Sequence, residues 1–166
     1  LRLLPRRLYF ALIHRLTGGA THVISASNAS VTGSYDLLHD EWYGEWLDAL
    51  RVPVTLYPSV CDDAGDLGVT SAAVFGAEVP IRSAIADQHS ALFAQGCITP
   101  GSVKCTHGTG TFLDMNIGEA PVIDTDSGLT CQIAWRIGGR TLYALEGYAA
   151  STGAAVQWLR DGAGII

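Results

Sequence analysis

An apolar run stops abruptly at Asp87, and a segment of helical character begins directly after it. Residues 81–86, which read Ile-Arg-Ser-Ala-Ile-Ala, predict a buried strand, and residues 88–95 predict a helix with Gly96 behind it. A carboxylate at such a junction is well placed to meet a ligand, because ligands of open α/β sheets collect outside the carboxyl ends of the strands. Asp87 is therefore the first candidate for a site residue.

The part of the chain before this junction alternates between helical and turn-rich patterns. Four segments are predicted there: a helix over 3–16, a loop with short extended parts over 21–36, a helix capped by Asp40 that contains Trp42 to Leu50, and a turn-rich connection over 58–76.

After Thr99-Pro100-Gly101 the sequence pattern changes from helical to strand-like. Four strands are predicted, over 103–106, 112–116, 129–135 and 141–145. The last two flank residues 136–140, a plausible hairpin, and residues 149–160 return to a helix. We therefore expect a domain boundary near residues 96–101, with a strand-rich unit opening after it.

Composition and charge argue against several classes of protein. The net charge is −6 with a single lysine, Lys104, which argues against nucleic-acid binding through phosphate neutralisation. No apolar run approaches the roughly 18–20 residues of a membrane-spanning helix. The four cysteines show no Cys-x-x-Cys spacing, which favours a reducing, cytoplasmic setting. The five histidines form no metal-type pairing with carboxylates, so no metal ligand is predicted within the chain.

Asp87 and Gln88 fit the chemistry of phosphoryl transfer to an alcohol. Such a transfer needs positioning, charge compensation and a base near the attacking hydroxyl. An aspartate is ionised at neutral pH and can accept that proton, and the amide of Gln88 can fix substrate hydroxyl groups. The simpler interpretation is that Asp87 caps the following helix, and for this residue taken alone capping is the better explanation.

Gly108-Thr109-Gly110 forms a small-residue turn between two predicted strands. Glycines let backbone N–H groups approach anionic oxygens, and the threonine hydroxyl adds a donor, so the turn can bind phosphate. For these three residues alone, an ordinary tight hairpin turn is the better explanation, because a short glycine motif is common by chance. The chain has no Gly-x-x-x-x-Gly-Lys-Ser/Thr loop and no Gly-x-Gly-x-x-Gly fingerprint, which argues against a Rossmann dehydrogenase.

Gly153 and Gln157 lie one turn apart at the start of the last predicted helix. The small residues at 149–155 would let a flat ring lie against that helix. Close packing between helices is the simpler explanation from composition alone.

Taken together, these segments resemble the FGGY family of carbohydrate kinases, in its glycerol kinase branch. Residues 16–19 resemble the family's LTGG turn, and residues 27–32 resemble its NAS-x-T segment. Residues 86–93, 108–116, 143–147 and 153–161 resemble GDQQAALF, GTGCFLLMN, YALEG and GAAIQWLRD, and all of them occur in the family's order.

The resemblance implies an α/β, ribonuclease H-like fold of the actin and hexokinase type. Residues 1–96 would be the end of the substrate-binding domain, and residues 97–166 the start of the nucleotide-binding domain. The implied reaction is ATP- and Mg²⁺-dependent phosphorylation of a polyol, with glycerol giving glycerol 3-phosphate. Asp87 would be the catalytic base and a substrate contact together with Gln88, and the nucleotide side would comprise Gly108, Thr109, Gly110, Gly153 and Gln157.

The chain also departs from the family pattern. Ser25, Val31, Ala86 and His89 stand where an acid, an arginine, a glycine and a glutamine are often found. Two alternatives to glycerol phosphorylation stay open: a kinase for another polyol or sugar, and a catalytically silent protein that binds nucleotide. Whether the protein assembles with copies of itself is also open. This chain by itself is expected to have no significant turnover.

Overall fold

The computed structural model describes residues 8–166, which form two compact units. The first unit comprises the described residues up to Ala86 together with Trp135–Thr141, and the second comprises Asp87–Ala134 and Leu142–Ile166. No helix within residues 8–166 has both the length and the apolar character needed to cross a membrane.

The first unit holds short helices and two two-stranded sheets. Its elements are α1 (Leu8–Leu16), β1 (Val23–Ser25), α2 (Ala26–Ser30), β2 (Tyr35–Asp36), β3 (Glu41–Trp42), α3 (Gly44–Ala49), a 3₁₀ turn (Val54–Leu56), β4 (Ser59–Cys61) and α4 (Ala72–Phe75). β1 pairs in parallel with β4, and β2 pairs with β3 in antiparallel fashion.

The first helix ends where its glycines predict. The N–H groups of Gly18 and Gly19 donate to the carbonyl oxygens of Arg15 and His14 at 3.1 and 2.7 Å, and both glycines have positive φ, at 65° and 90°. This left-handed backbone closes the helix at little steric cost. The predicted beginning of this helix, residues 3–7, lies outside the described residues.

The strand predicted over residues 81–86 is wrong. The segment is extended, but only Ser83 forms a bridge with the first unit's Ala64, so no ladder develops. The segment is held by irregular hydrogen bonds: the carbonyl oxygen of Asp63 accepts from Ser83 Oγ at 2.8 Å and from Ala84 N at 3.0 Å, and residues 81–82 exchange backbone hydrogen bonds with residues 65–68. An apolar run supplies the composition of a strand, but a strand also needs a partner in register.

Two further local predictions in this unit are corrected. The short extended parts predicted within residues 21–36 are β1 and β2, but the segment also contains the short helix α2, whose Ala26–Ala29 residues are buried. Asp40 does not cap a helix: it has a φ of 57°, precedes β3, and α3 begins only at Gly44.

The second unit consists of two helices and most of a four-stranded sheet. Its elements are α5 (Asp87–Ala94), β5 (Val103–His107), β6 (Thr111–Gly118), β7 (Thr130–Ile137), β8 (Arg140–Ala149) and α6 (Gly153–Asp161), with the tip of the β7–β8 hairpin belonging to the first unit. The strand order is β5-β6-β8-β7. All four predicted strands are confirmed.

The local sequence predicted the β7–β8 hairpin correctly, but not the start of the last helix. Gly138 and Gly139 have φ of 60° and 74°, which is the backbone of a two-residue hairpin loop, so the predicted hairpin is confirmed. The helix predicted over 149–160 begins later, at Gly153, because β8 continues to Ala149 and pairs there with Thr111. The domain boundary between residues 96 and 97 stays a prediction.

Candidate functional site

Asp87 is the first residue of α5, and its side chain is exposed. Its Oδ1 accepts a hydrogen bond from the backbone N–H of Gln88 at 2.9 Å. One carboxylate oxygen thus contacts the backbone at the helix start, but this bond to the next residue is not the capping bond to the second or third N–H of a helix, so the capping interpretation is not confirmed. The residue as a whole is exposed, so supporting the helix and accepting a proton do not exclude each other.

Helix α5 is anchored through its buried side chains. His89 and Leu92 are buried, and the helix packs against β5 and β6. Burial lowers the pKa of His89, which therefore favours the neutral ring at neutral pH. A rigid helix of this kind keeps the first turn, with Asp87 and Gln88, in a defined place.

Ala86, which precedes Asp87, is part of a network of buried hydrogen bonds in the first unit. Ala86 N donates to Ser27 Oγ at 3.2 Å, and Ser27 Oγ in turn donates to Asp63 Oδ1. Asp63 Oδ2 also accepts from the backbone N–H of Arg136 at 2.7 Å. Burial raises the pKa of Asp63, and the hydrogen bonds from Ser27 and Arg136 oppose that rise.

The Gly-Thr-Gly turn joins β5 to β6 and supports the start of α6. The carbonyl oxygen of Gly108 accepts from Gly153 N at 3.1 Å, and that of Thr109 accepts from Thr152 N at 3.0 Å and from Ala154 N at 3.2 Å. Gly110 lies so close to β8 that a Cβ atom there would be 2.6 Å from the carbonyl oxygen of Ala149. The turn and the helix start are thus one packed feature.

The turn keeps its donors available for a ligand. The backbone N–H groups of Thr109 and Gly110 donate no hydrogen bond to any of the residues 8–166, and Thr109 is exposed. Two adjacent N–H groups of this kind can bind an anionic oxygen. Gly153 and Gln157 follow at helical spacing on α6, so the predicted nucleotide-side residues all lie at the turn or on the adjoining helix.

A buried polar row crosses the sheet at Lys104, and the sequence reasoning missed it. Lys104 on β5 is opposite Asp114 on β6, which is opposite Glu146 on β8. The side chains of Lys104 and Asp114 are 0 % and 1 % exposed, and Lys104 Nζ lies 2.5 Å from Asp114 Oδ2. The available signal was the period-two pattern, since Asp114 and Asn116 occupy buried positions of β6.

The row contains two carboxyl groups and one lysine, and the pKa of Glu146 is raised. Burial and then the neighbouring charge of Asp114 raise the pKa of Glu146 to about 7. The single positive charge of Lys104 therefore lies near two carboxyl groups, and Glu146 keeps its proton at mildly acidic pH. Within the described part of the chain, no three His, Cys, Asp or Glu side chains are grouped so that they could hold a metal ion.

The sequence is similar to those of known kinases over most of its length. The chain is 47 % identical to a glycerol kinase of Alkalilimnicola ehrlichii over 155 residues, which is 93 % of this chain and 31 % of that protein. It is 49 % identical to a glycerol kinase of Aromatoleum aromaticum over the same shares of the two chains. This chain belongs to the FGGY family of carbohydrate kinases. It spans about a third of the length of these FGGY relatives, and no family model matches the sequence.

The solved structures give the fold of this FGGY segment. A Plasmodium falciparum glycerol kinase with ADP superposes with a TM-score of 0.83 at 30 % identity, over 90 % of this chain and 30 % of that one. A ligand-bound xylulose kinase of Lactobacillus acidophilus gives 0.79 at 21 % identity, over 93 % and 31 % of the two chains. The fold is therefore α/β, of the ribonuclease H-like type of actin and hexokinase, as the sequence resemblance implied.

Proposed function

We propose that the intact polypeptide containing this chain transfers the γ-phosphoryl group of ATP to a hydroxyl group of glycerol, giving glycerol 3-phosphate and ADP. The observation that carries the proposal is the first turn of α5, where an exposed aspartate precedes a glutamine that a buried lysine holds. Relatives that are named glycerol kinase at 46–49 % identity support glycerol over other alcohols.

Asp87 acts as the base in this proposal. The alcohol oxygen forms a bond to the γ-phosphorus, and its proton passes to the free oxygen of the Asp87 carboxylate. The bond between the γ-phosphorus and the bridging oxygen of ADP breaks, and ADP leaves with that electron pair. Gln88 holds a substrate hydroxyl beside the reacting one.

The Gly-Thr-Gly turn and α6 form the nucleotide side. The N–H groups of Thr109 and Gly110 donate to phosphate oxygens, while Gly153 and Gln157 lie beside the nucleotide. The unpaired donors of the turn support this assignment, because an exposed pair of N–H groups fits an anion. Mg²⁺ bound to ATP would neutralise phosphate charge, and no residue of this chain is assigned as its ligand.

The domain organisation and cellular setting are part of the same proposal. Residues 1–96 would belong to the substrate-binding domain and residues 97–166 to the nucleotide-binding domain of an enzyme about three times as long. The cysteine pattern supports a cytoplasmic location. The proposal includes neither a nucleic acid nor a membrane as a partner.

The test is release of ADP by the intact polypeptide with Mg-ATP and a panel of glycerol, other polyols and sugars. Glycerol-dependent turnover that Asp87→Ala lowers by about 10²–10⁴-fold would support the proposal. Turnover with a different alcohol alone would replace glycerol by that substrate. Tight ATP binding without turnover on any alcohol would indicate a catalytically silent nucleotide-binding protein instead.

A further inference from the structure

Lys104 is the chain's single lysine, and its ammonium group is held in the interior by two hydrogen bonds and an ion pair. Its ammonium group donates to Thr106 Oγ1 at 3.0 Å and to Gln88 Oε1, and it pairs with Asp114 Oδ2 at 2.5 Å. A lysine ammonium has three N–H donors and no acceptor. Two of the three donors therefore meet hydrogen-bond acceptors, and the charge of the group is balanced by Asp114.

The contact with Gln88 decides which way the glutamine amide faces. Because an ammonium group can only donate, the amide atom that meets Lys104 must be the oxygen. The amide nitrogen then points away from Lys104, with its two hydrogens available. A glutamine held in this way is a hydrogen-bond donor toward a ligand, whereas a free glutamine could turn either end toward it.

The burial of Lys104 holds the Gln88 amide in this orientation. Its side chain is 0 % exposed, and a buried charge is tolerated only where it is paired and hydrogen-bonded. Asp114 supplies the opposite charge, and Glu146 lies next along the row. Breaking the contact with Gln88 would leave one N–H of a buried ammonium without an acceptor, which is costly.

We propose that Lys104 is a positioning residue, which fixes Gln88 as a hydrogen-bond donor beside the acceptor Asp87 on the first turn of α5. The inference rests on the proposed function, because it supplies the donor that binds the oxygen of a substrate hydroxyl group. The site then offers one acceptor and one donor on successive residues. That combination suits a compound with neighbouring hydroxyl groups, of which one loses its proton and the next accepts a hydrogen bond.

The test compares two variants of the intact polypeptide that differ only at Lys104. Asp114→Leu is the reference, and Lys104→Met with Asp114→Leu is the test variant. In the reference, Lys104 keeps Glu146 as the neighbouring acid of the row, and in the test variant both charges of the Lys104–Asp114 pair are absent, so neither protein holds a buried, unpaired Asp114 carboxylate. Both variants are also made with Gln88→Ala, which completes a double-mutant cycle.

We expect the loss of Lys104 to raise the KM for the alcohol by about tenfold while Gln88 is present. The KM for ATP should stay the same, and in the Gln88→Ala background the loss of Lys104 should change neither KM. A merely structural role would lower stability and affect both substrates. An unchanged KM for the alcohol in a folded test variant would overturn the inference, and so would an equal rise in both backgrounds.

The free energy of unfolding of the same four proteins needs no turnover. A coupling between positions 104 and 88 in that quantity would support the contact, and its absence would overturn the inference. If the unsubstituted protein phosphorylated no alcohol, the proposed function would be overturned on its own, and the coupling in unfolding would still report on Lys104.

Discussion

Gly153 lies directly against the carbonyl group of Gly108. The N–H of Gly153 donates to that oxygen at 3.1 Å, and a Cβ atom on Gly153 would fall far inside contact distance of the same oxygen. The first turn of α6 and the Gly-Thr-Gly turn therefore approach to a distance that only glycine permits. Any side chain at position 153 must displace the turn that offers the N–H groups of Thr109 and Gly110.

Gly153→Ala is expected to lower stability and weaken ATP binding. Gly153 has no positive φ, so alanine costs nothing in backbone conformation, and the loss of about 1–3 kcal/mol comes from the clash with Gly108. Gly44→Ala is the matched control, because Gly44 also begins a helix and its Cβ would meet nothing within 4 Å. Unfolding curves and ATP titration measure both effects, and equal behaviour of the two variants would contradict the prediction.

Asp87→Asn separates the role of a base from the role of supporting the start of α5. Asparagine keeps an oxygen that can accept from the N–H of Gln88, and it is itself a favoured capping residue, but it cannot take up a proton as a base. We expect the rate of alcohol phosphorylation to fall by about 10²–10⁴-fold with an unchanged midpoint of thermal unfolding. A lowered midpoint with a retained rate would mean that Asp87 only caps α5.

Asp63→Ala is expected to destabilise the protein by about 3 kcal/mol. Asp63 is 2 % exposed, and its removal leaves the N–H and hydroxyl of Ser27 and the N–H of Arg136 without their acceptor. Asp62→Ala is the neighbouring control: its carboxylate accepts one hydrogen bond, from Gly139 N at 2.9 Å in an exposed position, so about 1 kcal/mol or less is expected. Denaturant unfolding gives both values, and a similar cost for the two would refute the central role of Asp63.

Because the pKa of Glu146 is raised, we expect the folded protein to lose stability as the pH rises. Its pKa in the folded protein is raised from 4.5 to about 7, by burial first and by the charge of Asp114 second. The folded state therefore keeps the proton longer than the unfolded state, so this contribution is present below pH 4.5 and is lost as the pH rises through about 7.

Glu146→Gln imitates the protonated form and should remove this loss. The stability of the variant relative to the unsubstituted protein is expected to increase from pH 5 to pH 8. Thermal unfolding midpoints across that range measure it, with Glu45→Gln, an exposed acid of α3, as the control for net charge. Parallel curves for the protein and Glu146→Gln would contradict the raised pKa.

Features that depend on neighbouring residues in the chain could be predicted from the sequence. The glycine stop after α1, the four long strands, the Gly138-Gly139 hairpin and the helix after Asp87 are all confirmed. The strand over 81–86 was wrong because a strand requires a partner, and the late start of α6 was missed because pairing with β6 extends β8. The roles of the candidate site residues stay predictions.

The sequence by itself determined the family, the order of the elements from Asp87 onward and the places of Asp87 and the Gly-Thr-Gly turn, because these reside in short continuous segments. Only the tertiary structure decided how those segments are held. Lys104 meets Gln88 across 16 positions of the chain, and Ser27 meets Asp63 across 36. A buried charge can be matched only by groups that folding brings beside it, so its partners follow from strand register and helix packing rather than from local pattern.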